Sequence, residues 1–189
     1  RQPLNVRGER KLLVTSHPLA DGWGEPYYDW AAINANIQEA LGGDVAWAPL
    51  GPLVRAPVAD LPAPPPLFDF DWLEILDIDG WARESTDFQG ERPVIGRHSR
   101  PDYLKWPDDR ETTLAAYPDA PEFRVKVLGG GDYLTDLVGE IPANWEIHPF
   151  NSVPPKNFLH GIDFYVYFHH SRWVEAFGRV MLEGLAAGA

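Results

Sequence analysis

Apolar residues fall into short runs along this chain, and most runs are followed by a more polar stretch with helical spacing. Residues 11–16, KLLVTS, predict a short buried strand, followed by a loop of Gly, Pro and aromatics, HPLADGWGEPYYD. In WAAINANIQEAL the apolar positions Trp30, Ile33, Ile37 and Leu41 recur at three and four residues, which predicts a helix that Gly42-Gly43 ends. DVAWAPLG predicts the next strand and completes a β-α-β unit. Residues 55–68, RAPVADLPAPPPLF, are proline-rich, which excludes a regular helix interior as an expectation and suits a semi-rigid linker. The acidic, aromatic DFDWLEILDIDGW that follows is compatible with a short helix or a strand.

From residue 93 the alternation is cleaner. PVIG, FRVKVLGGG, WEIHPF and DFYVYFHH predict four strands. Helices are predicted within KWPDDRETTLAAYP, DYLTDLVGEI, PKNFLHGI and EAFGRVMLEGLAAG. Strands alternating with helices predict an α/β fold, a Rossmann-like parallel sheet with helices on both faces. Ligands of such sheets sit beyond the carboxyl ends of the strands. The expected organisation is a β-α-β segment over 1–54, a Pro-rich and acidic linker over 55–90, and a Rossmann-like domain over 91–189.

Composition removes some function classes. The net charge is −12, from 16 basic and 28 acidic residues, the opposite of what a duplex-binding domain shows, so nucleic acid is not the expected partner. There are no cysteines, which excludes thiolate metal sites and fits a reducing cytoplasm. No apolar run is long enough to span a bilayer, and the polar, basic start has no signal-peptide core. The only methionine is Met181, so residue 1 is not an initiator and the expectation is a chain cut at its start.

Four segments beyond predicted strand ends hold candidate chemistry. In IGRHSRPDYLKWP, Gly96 allows close backbone approach, and Arg97, His98, Arg100 and Lys105 gather positive charge in an acidic protein. They suit a phosphate grip, or equally a solvated basic loop pairing with Asp102, Asp108 and Asp109. In VLGGGDYL the glycines around Gly130 suit a tight turn or a phosphate cradle, but not a dinucleotide fingerprint, because Leu134 stands at the third glycine's place. His169 and His170 are adjacent, so in an extended chain they point to opposite sides, poor geometry for one metal ion. Finally, Glu175 and Glu183 have seven residues between them. On one continuous helix they would stand about 80° apart and about 12 Å along the axis. That is too far for a paired-carboxylate site, but suits two contacts on one extended ligand, or a helix-dipole partner and a solvated face residue.

Together these segments resemble retaining GT-B glycosyltransferases of the group 1, or family 4, kind. EAFGRVMLE resembles that family's E-x7-E motif, here after the fourth strand counted from residue 93. Gly96, Arg97 and Lys105 resemble its Gly-Arg and following lysine, with a longer gap than usual, which makes Arg100 a rival to Arg97. VLGGG resembles its turn after the second strand. The resemblance covers residues 90–189 in element order.

It implies transfer of a sugar from a UDP- or GDP-linked donor to an unknown sugar, lipid or protein acceptor, with retention and without a cofactor or metal. Arg97 and Lys105 would hold the diphosphate, and Glu175 the transferred sugar. Phe177 and Gly178 would present backbone amides, Glu183 would accept from the ribose, and His148 would lie near the base. The next strand of the family's sheet would follow Ala189. The resemblance therefore implies a segment cut at both ends, with little or no transferase activity by itself. Two other readings stand beside the transferase: a non-catalytic α/β module for a nucleotide or phosphosugar, and an interaction domain using residues 69–81. The expected location is cytoplasmic; peripheral membrane association is common in the family, but no basic amphipathic helix argues for it here.

Overall fold

The computed structural model describes residue 8, residues 10–85 and residues 87–189. The chain divides into two compact units. The first runs through Ile75 and takes in Val174–Phe177; the second comprises Leu76–Trp173 and Gly178–Ala189.

In the first unit β1 (Lys11–Thr15) pairs in parallel with β2 (Val45–Pro49), with α1 (Trp30–Leu41) between them in sequence. Asp29 caps α1, its carboxylate accepting from the Ala32 amide at 3.0 Å, and Gly42 closes it in the left-handed region at φ 75°. The structure departs from expectation after β2. Residues Pro52–Ala59 form α2, with Pro52 in the first turn and Pro57 inside the helix. Pro52 costs nothing there, since first-turn amides have no intrahelical acceptor. Pro57 forfeits one bond, and burial of Val54 and Val58 on the inner face offsets it. The proline run beyond is not a free tether either. Trp47 donates to the Pro66 carbonyl and accepts from the Phe68 amide, both at 2.7 Å, so residues 66–68 run beside β2. The acidic, aromatic segment after it is irregular except for one helical turn, α3 (Ile78–Trp81).

The second unit contains four parallel strands: β3 (Val94–His98), β4 (Arg124–Leu128), β5 (Trp145–His148) and β6 (Phe164–Tyr165). Their order is β5-β4-β3-β6, so the chain steps outward from β3 in one direction and then returns to its other side. This is a small α/β fold of Rossmann-like topology, and its switch point lies between β3 and β6. Strand alternation assigns each side chain to one of two cores. Ile95, Val125 and Val127 pack with residues of α4 (Arg110–Ala116), α5 (Leu134–Val138) and the loops beside them, including Trp106, Tyr117 and Leu134. Val94 and Leu128 pack with Phe158 and Leu159 of α6 (Pro155–Leu159) and Ala187 of α7 (Arg179–Ala187). Helices therefore cover both faces, as the strand-helix alternation predicts.

Two elements differ from their expected lengths. DFYVYFHH pairs only at Phe164 and Tyr165. Its later backbone groups go elsewhere: Tyr117 Oη donates to the Val166 carbonyl at 2.9 Å, and the His170 amide to the Leu104 carbonyl at 3.0 Å. Beyond the Val166 amide, which still donates to Gly96 of β3, the ladder is thus replaced by bonds to Tyr117 and to the loop after β3. The last helix begins at Arg179, because Gly178 sits in the left-handed region at φ 79° and breaks the helical path. Among the described residues no helix is long and apolar enough to cross a membrane.

Candidate functional site

β3 delivers two consecutive side chains to opposite faces of the sheet at its carboxyl end, Arg97 and His98. Their surroundings differ in kind.

Arg97 is fully buried. Its guanidinium carbon lies 3.7 Å from the centroid of the Trp106 ring, 5.3 Å from Tyr167 and 5.7 Å from Tyr117. It donates to the Lys105 carbonyl and, at longer range, to Ser99 Oγ and the Phe168 carbonyl. No carboxylate pairs with it among the described residues, so aromatic faces and carbonyl oxygens stabilise the charge. Lys105 is buried too, with Nζ 3.8 Å from the Trp173 ring centroid and 5.9 Å from that of Tyr167. Burial beside these groups pushes the Tyr117 phenol above its ordinary value, although the Arg97 charge opposes the shift.

His98 faces α7. Its Nε2 lies 2.8 Å from Glu183 Oε2, and Arg179 donates from Nε to Glu183 Oε1 at 2.9 Å. Glu183 is only 7% exposed. Burial alone would raise its pKa, but the hydrogen bonds from His98 and Arg179 outweigh this and hold the carboxyl below its ordinary value. His98 Nδ1 is buried with no hydrogen-bond partner among the described residues. A pocket of about 200 Å³ opens at this point, walled by His98, Arg100, Leu128, Phe150, Val180 and Glu183, with Ser99 and Asn151 among its polar neighbours. It lies beyond the carboxyl ends of β3 and β4 and beside the first turn of α7.

Of the residues singled out in the sequence, His98, Arg100 and Glu183 come together in this pocket. Gly178 caps the helix whose Val180 lines it. Arg97 and Lys105 lead instead into the aromatic cluster. Gly96 lies in mid-strand, where an added Cβ would meet Ile162 Cγ2 at 2.5 Å, so its close approach is to the protein's own core. Gly130 is part of a turn held against the loop after β3: its carbonyl accepts from Trp106 Nε1 at 2.8 Å. His148 ends β5, where its Nε2 meets Glu146 Oε1 at 2.9 Å. Glu175 and Phe177 belong to the first unit, outside this pocket's walls.

Sequence reasoning missed Arg179, Phe150 and Asn151, and it named His98 only as one charge of the basic run. Arg179 stands four residues before Glu183, a spacing at which opposite charges meet on a helix. His98 alternates with Arg97 and so faces away from it. Phe150 and Asn151 follow β5 in a turn, Asn151 in the left-handed region at φ 60°, and no periodicity marks them. Among the described residues no group of three or more His, Asp or Glu side chains stands together as a metal site. In comparisons with known proteins, no family model, no curated protein and no solved structure matches this chain.

Proposed function

We propose that the second unit binds the nucleotide part of a nucleotide-diphosphate sugar, and that the chain serves retaining glycosyl transfer of the GT-B, group 1 type. The observation that carries this reading is Glu183: a buried carboxylate, kept ionised by His98 and Arg179, in the wall of a pocket beyond the strand ends. An ionised carboxylate fixed by two donors accepts hydrogen bonds from a vicinal diol, the chemistry a ribose offers. Phe150, half exposed, offers a ring to a base. Arg100 offers a two-pronged donor to a diphosphate, and the first turn of α7, without a side-chain cap, adds positive potential at the same rim. Arg97 and Lys105 then act behind the pocket, fixing the loop that presents Arg100.

In the transfer step the bond from the sugar's anomeric carbon to the diphosphate oxygen breaks, and its electron pair leaves with the diphosphate. The acceptor's hydroxyl oxygen bonds to the same carbon, and its proton passes to a donor phosphate oxygen. The requirement on the protein is electrostatic: stabilising charge that develops on the leaving diphosphate. Glu175 is assigned to the transferred sugar.

Calorimetric titration with UDP, GDP, UDP-glucose and GDP-mannose tests the reading. One nucleotide pair is expected to bind, and Glu183→Gln to weaken it about ten-fold, the loss of a charge-assisted hydrogen bond. No binding by any of the four, or binding indifferent to Glu183→Gln, overturns it. A second reading, a plain nucleotide or phosphosugar binder, is favoured by one observation: the pocket is walled entirely by residues of the second unit, without Glu175. Glu175→Ala separates the two. It weakens the sugar nucleotide more than the free nucleotide in a transferase, and both equally in a plain binder.

A further inference from the structure

The carboxyl ends of β3, β4 and β6 carry a second pocket, of about 270 Å³, which the nucleotide reading does not use. Its walls come from the loop after β3 (Tyr103, Trp106, Asp108), the segment after β4 (Tyr133, Asp136) and the segment after β6 (His170). All three loops emerge from the end of a parallel sheet where ligands collect. The pocket lies on the Arg97 side, since Trp106 both lines it and stacks on that guanidinium.

Its chemistry is the reverse of the first pocket's. The charged side chains in its wall are Asp108 and Asp136, with His170 beside them, and neither Arg nor Lys lines it. A phosphate or carboxylate ligand would meet like charge there. Asp108 is also oriented. Ser171 donates to it from its amide at 2.9 Å and from Oγ at 2.7 Å, and His170 Nδ1 lies 3.3 Å away. The Ser171 hydroxyl first, and its amide and His170 after it, keep the Asp108 carboxyl below its ordinary value. Such a carboxylate is anchored on one side and retains lone pairs for hydroxyl donors. Beside it stands Tyr103, half exposed, with Tyr133 at 66° and His170 at 78° to its ring plane, so neither ring lies flat on it. An aromatic face next to fixed carboxylates matches a ligand with one apolar C–H face and a rim of hydroxyls.

We propose that this pocket is a subsite for a neutral hexopyranose, with the sugar face on Tyr103 and its hydroxyls on Asp108 and Asp136. A cation is the competing ligand for two carboxylates beside aromatic rings, and tetramethylammonium in the test below separates it from a sugar. The proposal stands apart from the nucleotide reading, since the two pockets share no wall residue.

Saturation-transfer NMR with methyl α-glucoside, methyl α-mannoside and methyl β-galactoside on the 189-residue chain tests it. At least one glycoside is expected to show transfer to its ring protons. Tyr103→Ala is expected to weaken that glycoside about ten-fold, and Tyr103→Phe to restore it, since the face and not the hydroxyl is used. Glu183→Gln is expected to leave it unchanged. Tyr103 and Asp136 are exposed, so circular dichroism and the unfolding midpoint of Tyr103→Ala and Asp136→Asn should match the parent chain. Three results would overturn the proposal: no glycoside signal, a signal indifferent to Tyr103→Ala and Asp136→Asn, or displacement of the glycoside by tetramethylammonium. A glycoside signal abolished by Glu183→Gln would place the sugar in the first pocket and overturn it as well. Failure of nucleotide binding leaves these outcomes unaffected.

Discussion

Arg97 and Arg100 lie three residues apart in one basic run, yet their surroundings are opposite. Arg97 is sealed between Trp106, Tyr117 and Tyr167, with carbonyls as its acceptors. Arg100 is exposed, 3.7 Å from Asp102, within 5.6 Å of the Trp173 ring centroid and at the wall of the pocket that Glu183 lines. The difference arises from where β3 ends. Up to His98 the sheet fixes side-chain direction by alternation, and Arg97 falls on the face that α4 and α5 cover. Beyond Ser99, whose amide makes the last bond to β4 at Leu128, the chain is free of the ladder and follows the rim. One basic cluster therefore divides into a cation that builds the rim and a cation that presents itself there.

The sharpest test of that division is to remove each arginine in turn. Arg97→Ala should lower unfolding free energy by about 3 kcal/mol, from the cavity left among three rings and the lost cation–π contact. Urea titration followed by tryptophan fluorescence reads this directly, because Trp106 is the ring against the guanidinium. Arg97→Lys should recover only part of it, since an ammonium cannot lie flat on the indole while donating to several carbonyls. An unfolding midpoint unchanged by Arg97→Ala would break the comparison at its root.

Arg100→Ala should do the converse. Its pair with Asp102 is exposed, so stability should move by less than about 0.5 kcal/mol. On the proposed nucleotide reading, diphosphate affinity should fall about ten-fold and its dependence on salt should flatten, because the proposed phosphate contact is gone. Equal loss for a nucleoside lacking phosphate would show that Arg100 shapes the pocket and does not touch the diphosphate.

The same division explains what could be read from the sequence. Strands β1 to β5, helix α1 and the two-sided cover of the second unit follow from local spacing, which depends only on neighbours along the chain. The α2 helix did not: Pro57 argues against it, and the burial of Val54 and Val58 that outweighs the penalty is a tertiary effect. DFYVYFHH has the composition of a long strand, but Tyr117 and the loop at Leu104 take its backbone groups. At the site, Glu183 and Arg100 were visible as charges at the right points of the element order. Their company was not. That His98 meets Glu183 across 85 residues, or that Arg97 turns away into aromatics, depends on which sheet face each occupies.

The finest test concerns Glu183 as a fastener of α7, apart from its proposed ligand contact. Its pKa is lowered in the folded chain, with burial opposing and the His98 and Arg179 hydrogen bonds prevailing; the Tyr165 phenol, pushed up by burial, is the other titratable group coupled to it. Where a folded pKa is depressed, the unfolded chain binds the extra proton first as pH falls. The stabilisation is therefore complete above the ordinary carboxylate value and is lost as pH drops through the lowered folded value. Tyr165 stays neutral throughout that range and adds no slope. Other carboxylates also titrate there, so the informative quantity is a difference. Urea unfolding of the parent and of Glu183→Gln, from roughly pH 6 to pH 3, should give curves that converge as acid removes what the substitution has already removed. The effect should be smaller than that of Arg97→Ala, because Arg179 is solvent-exposed and its bond to Glu183 is worth little alone, which leaves the buried His98 contact to carry it. Parallel curves would mean that the His98–Glu183 contact does not hold α7 to the rim.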